Sequence, residues 1–247
     1  MSRYFLEVSY KGTNYSGFQI QQNANSIQSE IENALEILQK EKIALTGSSR
    51  TDAGVHALQN FFHFDFDKEM HPHLVYKMNA ILPADIVVQK LIPVKPGAHC
   101  RFDAVSREYK YYIYRHKDPF LKDRAFYFPY KLDTQLMQEA AGLIELYTDF
   151  TSFSKRNTQV KTFNCSIMET EWKLEGECLV FYVKADRFLR GMVRALVATM
   201  LKIGRGKMTI AEFRNVIDEK DCSKASFAAP SQGLFLLRVN YQKSFFE

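Results

Sequence analysis

The feature that most restricts this chain is a strict two-residue alternation of apolar and polar side chains. In NFFHFDFD, residues 60–67, Phe62, Phe64 and Phe66 alternate with His63, Asp65 and Asp67. That is the pattern of a strand with one buried and one wet face. RYFLEVSY (3–10) and REYKYYIYR (107–115) repeat it. In the second run Tyr109, Tyr111 and Ile113 share one strand face, and Lys110, Tyr112 and Tyr114 the other. Between the alternating runs lie segments of helical period. One begins near Asn25-Ser26, with Gln28 set for a capping box on Asn25, and carries Ile27, Ile31, Leu35 and Leu38 on one face. Another begins near Asp133-Thr134 and carries Leu136, Met137, Ala140, Leu143 and Ile144. NFFHFDFD follows the first helix, and FNCSIMETEWKL and CLVFYVKAD follow the second. Residues 73–81 and 187–203 close each half with helical character. The order predicts an α+β fold in two halves, 1–103 and 104–247, joined at the Pro- and Gly-rich PVKPGAH.

The chain's 247 residues suffice for one large domain or two small ones. A hydrophobic fraction of 46% with 25% charged residues is ordinary for a soluble protein. No apolar run approaches the roughly 20 residues that cross a bilayer. MSRYFLEVSYKG alternates instead of forming an apolar block, so it reads as a first strand and not as a signal peptide. The expectation is a cytoplasmic protein with no membrane contact. A net charge of +5 fits a polyanionic partner. Cys100, Cys165, Cys178 and Cys222 show no CxxC spacing and read as reduced thiols. All six histidines precede residue 117, and none pairs with a cysteine at zinc-finger spacing, so no metal is expected. The phosphate-cradling GxxxxGK and the Ser-His-Asp elbow are both missing, so neither a nucleotide cofactor nor a serine hydrolase is expected.

Three sets of residues could carry chemistry. In DRFLRGMVRALVATMLKIGRGK, read as one helix from Asp186, Phe188, Leu189, Met192, Val193, Leu196 and Met200 share a face, and Arg187, Arg190 and Arg194 share the other. Lys202, Arg205 and Lys207 follow. This is a solvated basic face or a stripe that tracks phosphates. The tyrosines of EYKYYIYR serve packing, or offer a face on which a nucleobase stacks. Among the carboxylates, a glycosidase normally needs two. Asp65 and Asp67 share a strand face but alternate with phenylalanines, which turns them to solvent. Asp52 stands apart, set in GSSRTDAGVHA among small residues beside Arg50. It caps a turn at the start of a strand or performs chemistry, and composition does not decide between these.

Six stretches in order decide more. GSSRTDAGVHA closely resembles G-A-G-R-T-D-A-G-V-H-A, the signature loop of the tRNA pseudouridine(38-40) synthase family. Residues 10–19, YKGTNYSGFQ, resemble Y-x-G-T-x-Y-x-G-W/F-Q, and residues 98–104, AHCRFDA, resemble F-H-A-R-F-x-A. SREYKY (106–111) resembles S-R-x-Y-x-Y, FLRGMVR (188–194) resembles F-L-x-x-M-V-R, and APSQGL (229–234) resembles A-P-x-x-G-L. Ser48-Ser49 stand where the family has Ala-Gly, and Thr148-Asp149-Phe150 where it often has His-Asp-Phe. The resemblance implies two similar RRM-like α+β halves whose mostly antiparallel sheets join around a central basic cleft. It implies an enzyme that isomerises uridine to pseudouridine at positions 38, 39 and 40 of the tRNA anticodon stem-loop, as a homodimer and without cofactor or metal. By the same resemblance Asp52 is the catalytic carboxylate and Arg194 pairs with it. Tyr109 stacks on the target uracil with Leu234 beside it, Arg50 holds the nucleotide out of the stack, and Arg190 contacts the RNA. The rivals are a non-catalytic RNA-binding protein of the same fold and a glycosidase with Asp65 as its second carboxylate.

Overall fold

RYFLEVSY becomes β1 (Ser2–Tyr10), the middle strand of the first of two units. The computed structural model describes residues 1–156 and 160–246. One unit holds Met1–Val105 together with the chain from Leu236 onward; the other holds Ser106–Phe235. The closing residues therefore return to the first unit, although sequence order alone would place them with the second half.

In the first unit β1 pairs antiparallel with β3 (His56–Phe66) and with β4 (Ile86–Val94). The two-residue β2 (Thr46–Gly47) adds to β3. Two helices complete it, α1 (Ile27–Gln39) and α2 (Leu74–Ile81). Ile27, Ile31 and Leu35 are buried, as the helical period requires. The cap differs from expectation: Ser26 is the N-cap, and Ser29 returns the bond to its backbone. A serine hydroxyl three residues on completes the box as well as a longer amide does.

β3 departs from half-buried alternation. His63 is only 6% exposed, and Asn60 through Phe64 are buried on both faces. The cause lies far away in sequence. Tyr241, Phe245 and Phe246 pack over Phe5 and Phe61, with ring centroids 5.4–6.2 Å apart. The face that alternation marks as wet is covered by the C-terminus.

In the second unit β5 (Ser106–Tyr114) pairs antiparallel with β8 (Cys178–Ala185), which pairs antiparallel with β7 (Ile167–Glu175). β6 (Phe126–Tyr127) lies parallel to the end of β5. β9 (Leu234–Asn240) crosses the division between the units. Three helices complete the second unit: α3 (Thr134–Ile144), α4 (Met192–Gly204) and α5 (Ile210–Asp218). α4 touches α3, α5 and β5, and nearly all its residues are buried. A helix enclosed all round has no wet face to show.

The basic stripe is thereby corrected. Gly191 takes φ +77°, a left-handed conformation, and α4 starts only at Met192. Arg187 and Arg190 precede the helix, so they do not share a helical face with Arg194. Among the described residues no helix is long and apolar enough to cross a membrane.

Candidate active site

The loop from Gly47 to His56 is held from beneath. Gly47 must be glycine, because a Cβ there would meet the Phe18 ring at 2.1 Å, and that ring stacks on Phe62 with centroids 4.4 Å apart. Asn60, fully buried, donates to Ser49 O at 2.8 Å and to Tyr10 Oη at 3.1 Å. Its Oδ1 accepts from the amides of Ser49 and Phe61. Tyr10 Oη lies 2.8 Å from Thr51 Oγ1. The Phe18 amide donates to Thr51 O, and the Gly12 amide donates to His56 Nδ1. Thus YKGTNYSGFQ and the signature loop clasp each other. Ser48, Ser49, Thr51, Val55 and His56 are buried, while Asp52 is half-buried and Arg50 exposed. The fold fixes the neighbours and presents these two side chains.

In the second unit the segment Ala229–Leu234 has the corresponding role. Arg194 lies in the first turn of α4, half-exposed between the buried Val193 and Ala195. Its Nε donates to Ala229 O at 2.7 Å. Tyr111 Oη donates to Pro230 O at 2.7 Å. A Cβ on Gly233 would meet Tyr111 Cζ at 2.7 Å and Tyr112 O at 3.0 Å, so only glycine lets the segment lie so close to β5. Leu234 is buried. Tyr109, half-buried on β5, meets Phe188 edge to face at 5.0 Å. Arg190 is exposed, and its carbonyl accepts from the Lys155 amide. The unit therefore links Arg194, Leu234 and the tyrosine strand through one short segment, and Arg190 stands outside that link. Asp52 and Arg50 belong to the first unit.

Sequence reasoning passed over the supports: Asn60, Tyr10, Thr51, His56 and the carbonyls of Ala229 and Pro230. The one available signal was that the glycines and aromatics of the quoted motifs had no chemical task of their own.

The second carboxylate of the glycosidase reading is engaged elsewhere. Asp65 accepts from Arg3 Nε at 2.7 Å and Nη2 at 2.6 Å across the β1–β3 register. That guanidinium holds its carboxyl below the ordinary range. His63, His99 and Cys100 bring three donor atoms within 4.8 Å of one another. Hydrogen bonding works against a metal there. His99 Nδ1 accepts from the amides of Arg101 and Phe102, which keeps the ring proton on Nε2 and withholds that lone pair. His63 Nδ1 faces the Cys100 thiol at 3.2 Å and accepts from the Cys100 amide. Burial pushes the His63 imidazole down to about 4, with His99 adding to the shift.

In the first unit the Asp52 loop is thus locked by polar bonds, and in the second the start of α4 is tied to the tyrosine strand. A family model described as tRNA pseudouridine synthase matches residues 7–103 and 147–242. The chain is 48% identical to tRNA pseudouridine synthase A of Parabacteroides distasonis, over all of this chain and 98% of that protein. It is 44% identical to the protein of the same name from Porphyromonas gingivalis, over the full length of both. It is 34% identical to that of Staphylococcus aureus, over 96% of this chain and 90% of the other. The chain belongs to the tRNA pseudouridine synthase family.

Proposed function

We propose that this chain isomerises uridine to pseudouridine in the anticodon stem-loop of tRNA, at positions 38, 39 and 40, with Asp52 as the carboxylate that acts on the nucleotide. The observation that carries the reading is the Asp52 loop, in which Ser49, Thr51 and His56 are buried and hydrogen-bonded while the carboxylate itself is not fully enclosed. Such a loop holds one reactive group in a fixed place.

In the reaction the C1′–N1 bond of uridine breaks, the uracil turns, and a C1′–C5 bond forms. The C5 proton leaves and a proton is gained at N1. Atoms balance within the substrate, so the reaction consumes no redox partner or nucleotide. Asp52 attacks C1′ or C6 as a nucleophile, or takes the C2′ proton to give a glycal. On this reading Arg194 pairs with Asp52 and orients it, its own position set by Ala229 O. Tyr109 stacks on the uracil and Leu234 packs beside it. Arg50 holds the flipped nucleotide, and Arg190 engages a phosphate. Unstacking a stem nucleotide costs a few kcal/mol, offset by stacking on Tyr109 and by phosphate contacts. The halves 1–103 and 104–247 would contribute the Asp loop and the Tyr strand, their RRM-like sheets joined around a basic cleft. The working form would be a cytoplasmic homodimer.

The test is pseudouridine mapping on unmodified tRNA transcripts, by carbodiimide adducts read through primer extension. Stops on the 3′ side of the anticodon stem-loop, lost in Asp52→Ala with tRNA affinity retained, are expected. Binding without stops on any tRNA would replace the enzyme reading with that of an RNA-binding protein.

A further inference from the structure

The far end of α4 carries a second basic feature that the proposed reaction does not use. β6 gives way to irregular chain after Tyr127, and Phe126, Phe128 and Tyr130 form a chain of rings with centroids 5.3 and 5.0 Å apart. The Arg205 guanidinium lies over the last of these, 3.8 Å from the Tyr130 centroid. Tyr130 is 47% exposed, and Lys131, next to it in sequence, and Lys207, two residues after Arg205, are exposed too. Backbone bonds fix both sides of the patch. Phe128 N donates to Tyr114 O, and Asp133 N donates to Gly204 O. The amides of Arg205, Gly206 and Lys207 donate to Leu201, Ile203 and Lys202 carbonyls.

A cation at a helix C-terminus often only complements the last carbonyls. Arg205 does something else. Its guanidinium sits over the Tyr130 ring, and a guanidinium held on an aromatic face still has N–H groups with which to bind a phosphate in two-point fashion. Other basic residues of this unit are engaged differently: Lys110, Lys173 and Lys184 are ion-paired to Glu175, Glu171 and Glu169. The nearby acid, Asp133, is committed as the α3 cap, accepting from the amides of Gln135 and Leu136. Arg205 lies eleven residues along α4 from Arg194, about 16 Å at 1.5 Å per residue.

We propose that Tyr130, Lys131, Arg205 and Lys207 form a second RNA-contact platform, which grips the phosphodiester backbone of the substrate at a distance from the target nucleotide. This rests on the tRNA reading above for the identity of the RNA. The occupant is argued from charge complementarity and from the stacked Arg–Tyr pair, a combination suited to a backbone and not to an acidic protein surface.

The test compares the full-length protein with the triple variant Lys131→Gln, Arg205→Gln, Lys207→Gln, and with a control triple, Lys42→Gln, Lys68→Gln, Lys90→Gln, that removes the same charge elsewhere. Binding to unmodified tRNA is measured by fluorescence anisotropy across salt, and single-turnover isomerisation at saturating tRNA. The platform variant should lose about tenfold or more in affinity, and its log K against log salt slope should fall by about 2, as expected for the loss of two to three phosphate contacts. Its saturated rate should stay within about twofold of the parent's. An unchanged affinity and slope, or an equal loss in the control, overturns the platform. If the parent isomerises nothing yet the platform variant alone loses RNA affinity, the platform stands and the isomerase reading fails. A parent that binds no tRNA ends both.

Discussion

The two units bury different kinds of matter. In the first, the buried polar residues are Ser26, Ser48, Ser49, Thr51, His56, Asn60 and His63, most of them beneath or beside the Asp52 loop. In the second, the centre is α4, where Ala195 through Leu201 are apolar except for Thr199, whose hydroxyl donates to Ala195 O and accepts from the Ser226 amide. A polar network fixes atoms by direction, whereas an apolar helix fixes them by volume. The difference matches what each unit presents. A carboxylate presented on an irregular loop has no helix or ladder to hold its backbone, so side chains must supply those bonds. Arg194 already stands on a helix, and the Ala229 carbonyl helps to aim it.

The largest break in the comparison should come from two glycines. A Cβ on Gly12 would lie 2.0 Å from Val55 O, a backbone atom clasped between two motifs. Gly12→Ala should cost about 3 kcal/mol or more, because the loop itself must move. A Cβ on Gly204 would meet Met137 Sδ at 2.5 Å, but that is a flexible thioether. Gly204→Ala should cost about 1 kcal/mol, since methionine repacks readily. Urea melts of the two variants check this; equal losses would mean that the first unit's loop is no stiffer than the second unit's core.

Next comes the polar network itself. Asn60→Ala removes bonds to Ser49, Tyr10 and Phe61 together and leaves buried groups without partners. The cost should be about 2–3 kcal/mol. Turnover should fall while tRNA affinity holds, because the Asp52 loop loses its seat and not its charge. Thr199→Ala in the second unit should cost about 1 kcal/mol, with turnover unchanged. A drop in turnover from Thr199→Ala, or none from Asn60→Ala, would erase the distinction.

These contrasts also mark what could be read beforehand. β1, β5, α1 and α3 follow from the period of their side chains, because one face of each is core and the other is not. α4 followed only in part: its helical period was legible, but Gly191 breaks the run before Met192, and a helix buried nearly all round has no polar face for the arginines to share. α5 carried its own signal, the Thr209–Glu212 capping box, in a stretch too short to stand out. His63 misled because the groups that cover it, Phe5, His99 and Cys100, come from other parts of the chain. Of the site, Asp52 and Arg50 were visible as charges in a loop of small residues. Their supports were not, because Asn60 reads as one polar residue in a strand until Tyr10 and Ser49 are placed around it.

The covered histidine makes the first unit sensitive to acid. Folded, His63 titrates near 4, below the ordinary value of about 6.5 that it regains on unfolding. Between these values the unfolded chain binds a proton that the native one does not. Stability is therefore full above about pH 6.5 and is lost as pH falls toward 4, by about 3 kcal/mol. His63→Gln should flatten the melting temperature over that window, whatever its cost at neutral pH. An equally steep decline in the variant would place the acid sensitivity elsewhere.

The smallest expected effect sharpens the comparison most, because it separates a network from mere buried polarity. Ser48 and Ser49 are as enclosed as Thr51, yet among the described residues neither hydroxyl finds a hydrogen-bond partner, whereas Thr51 Oγ1 meets Tyr10 Oη. Ser49 is held through its backbone by Asn60, and Ser48 through its amide to Phe61 O. Their side chains stand where the family motif has alanine and glycine. Ser48→Ala removes a desolvated hydroxyl and leaves every bond of the loop in place, so stability should be unchanged or rise by up to about 1 kcal/mol, with turnover intact. Thr51→Ala removes one partner of Tyr10 Oη, leaving the bond from Asn60, and should cost about 1–2 kcal/mol. Thermal melts of the two variants decide the matter. A loss in Ser48→Ala as large as in Thr51→Ala would make the serines members of the network, and would extend the polar seat of the Asp52 loop to the residues in which this chain departs from its family.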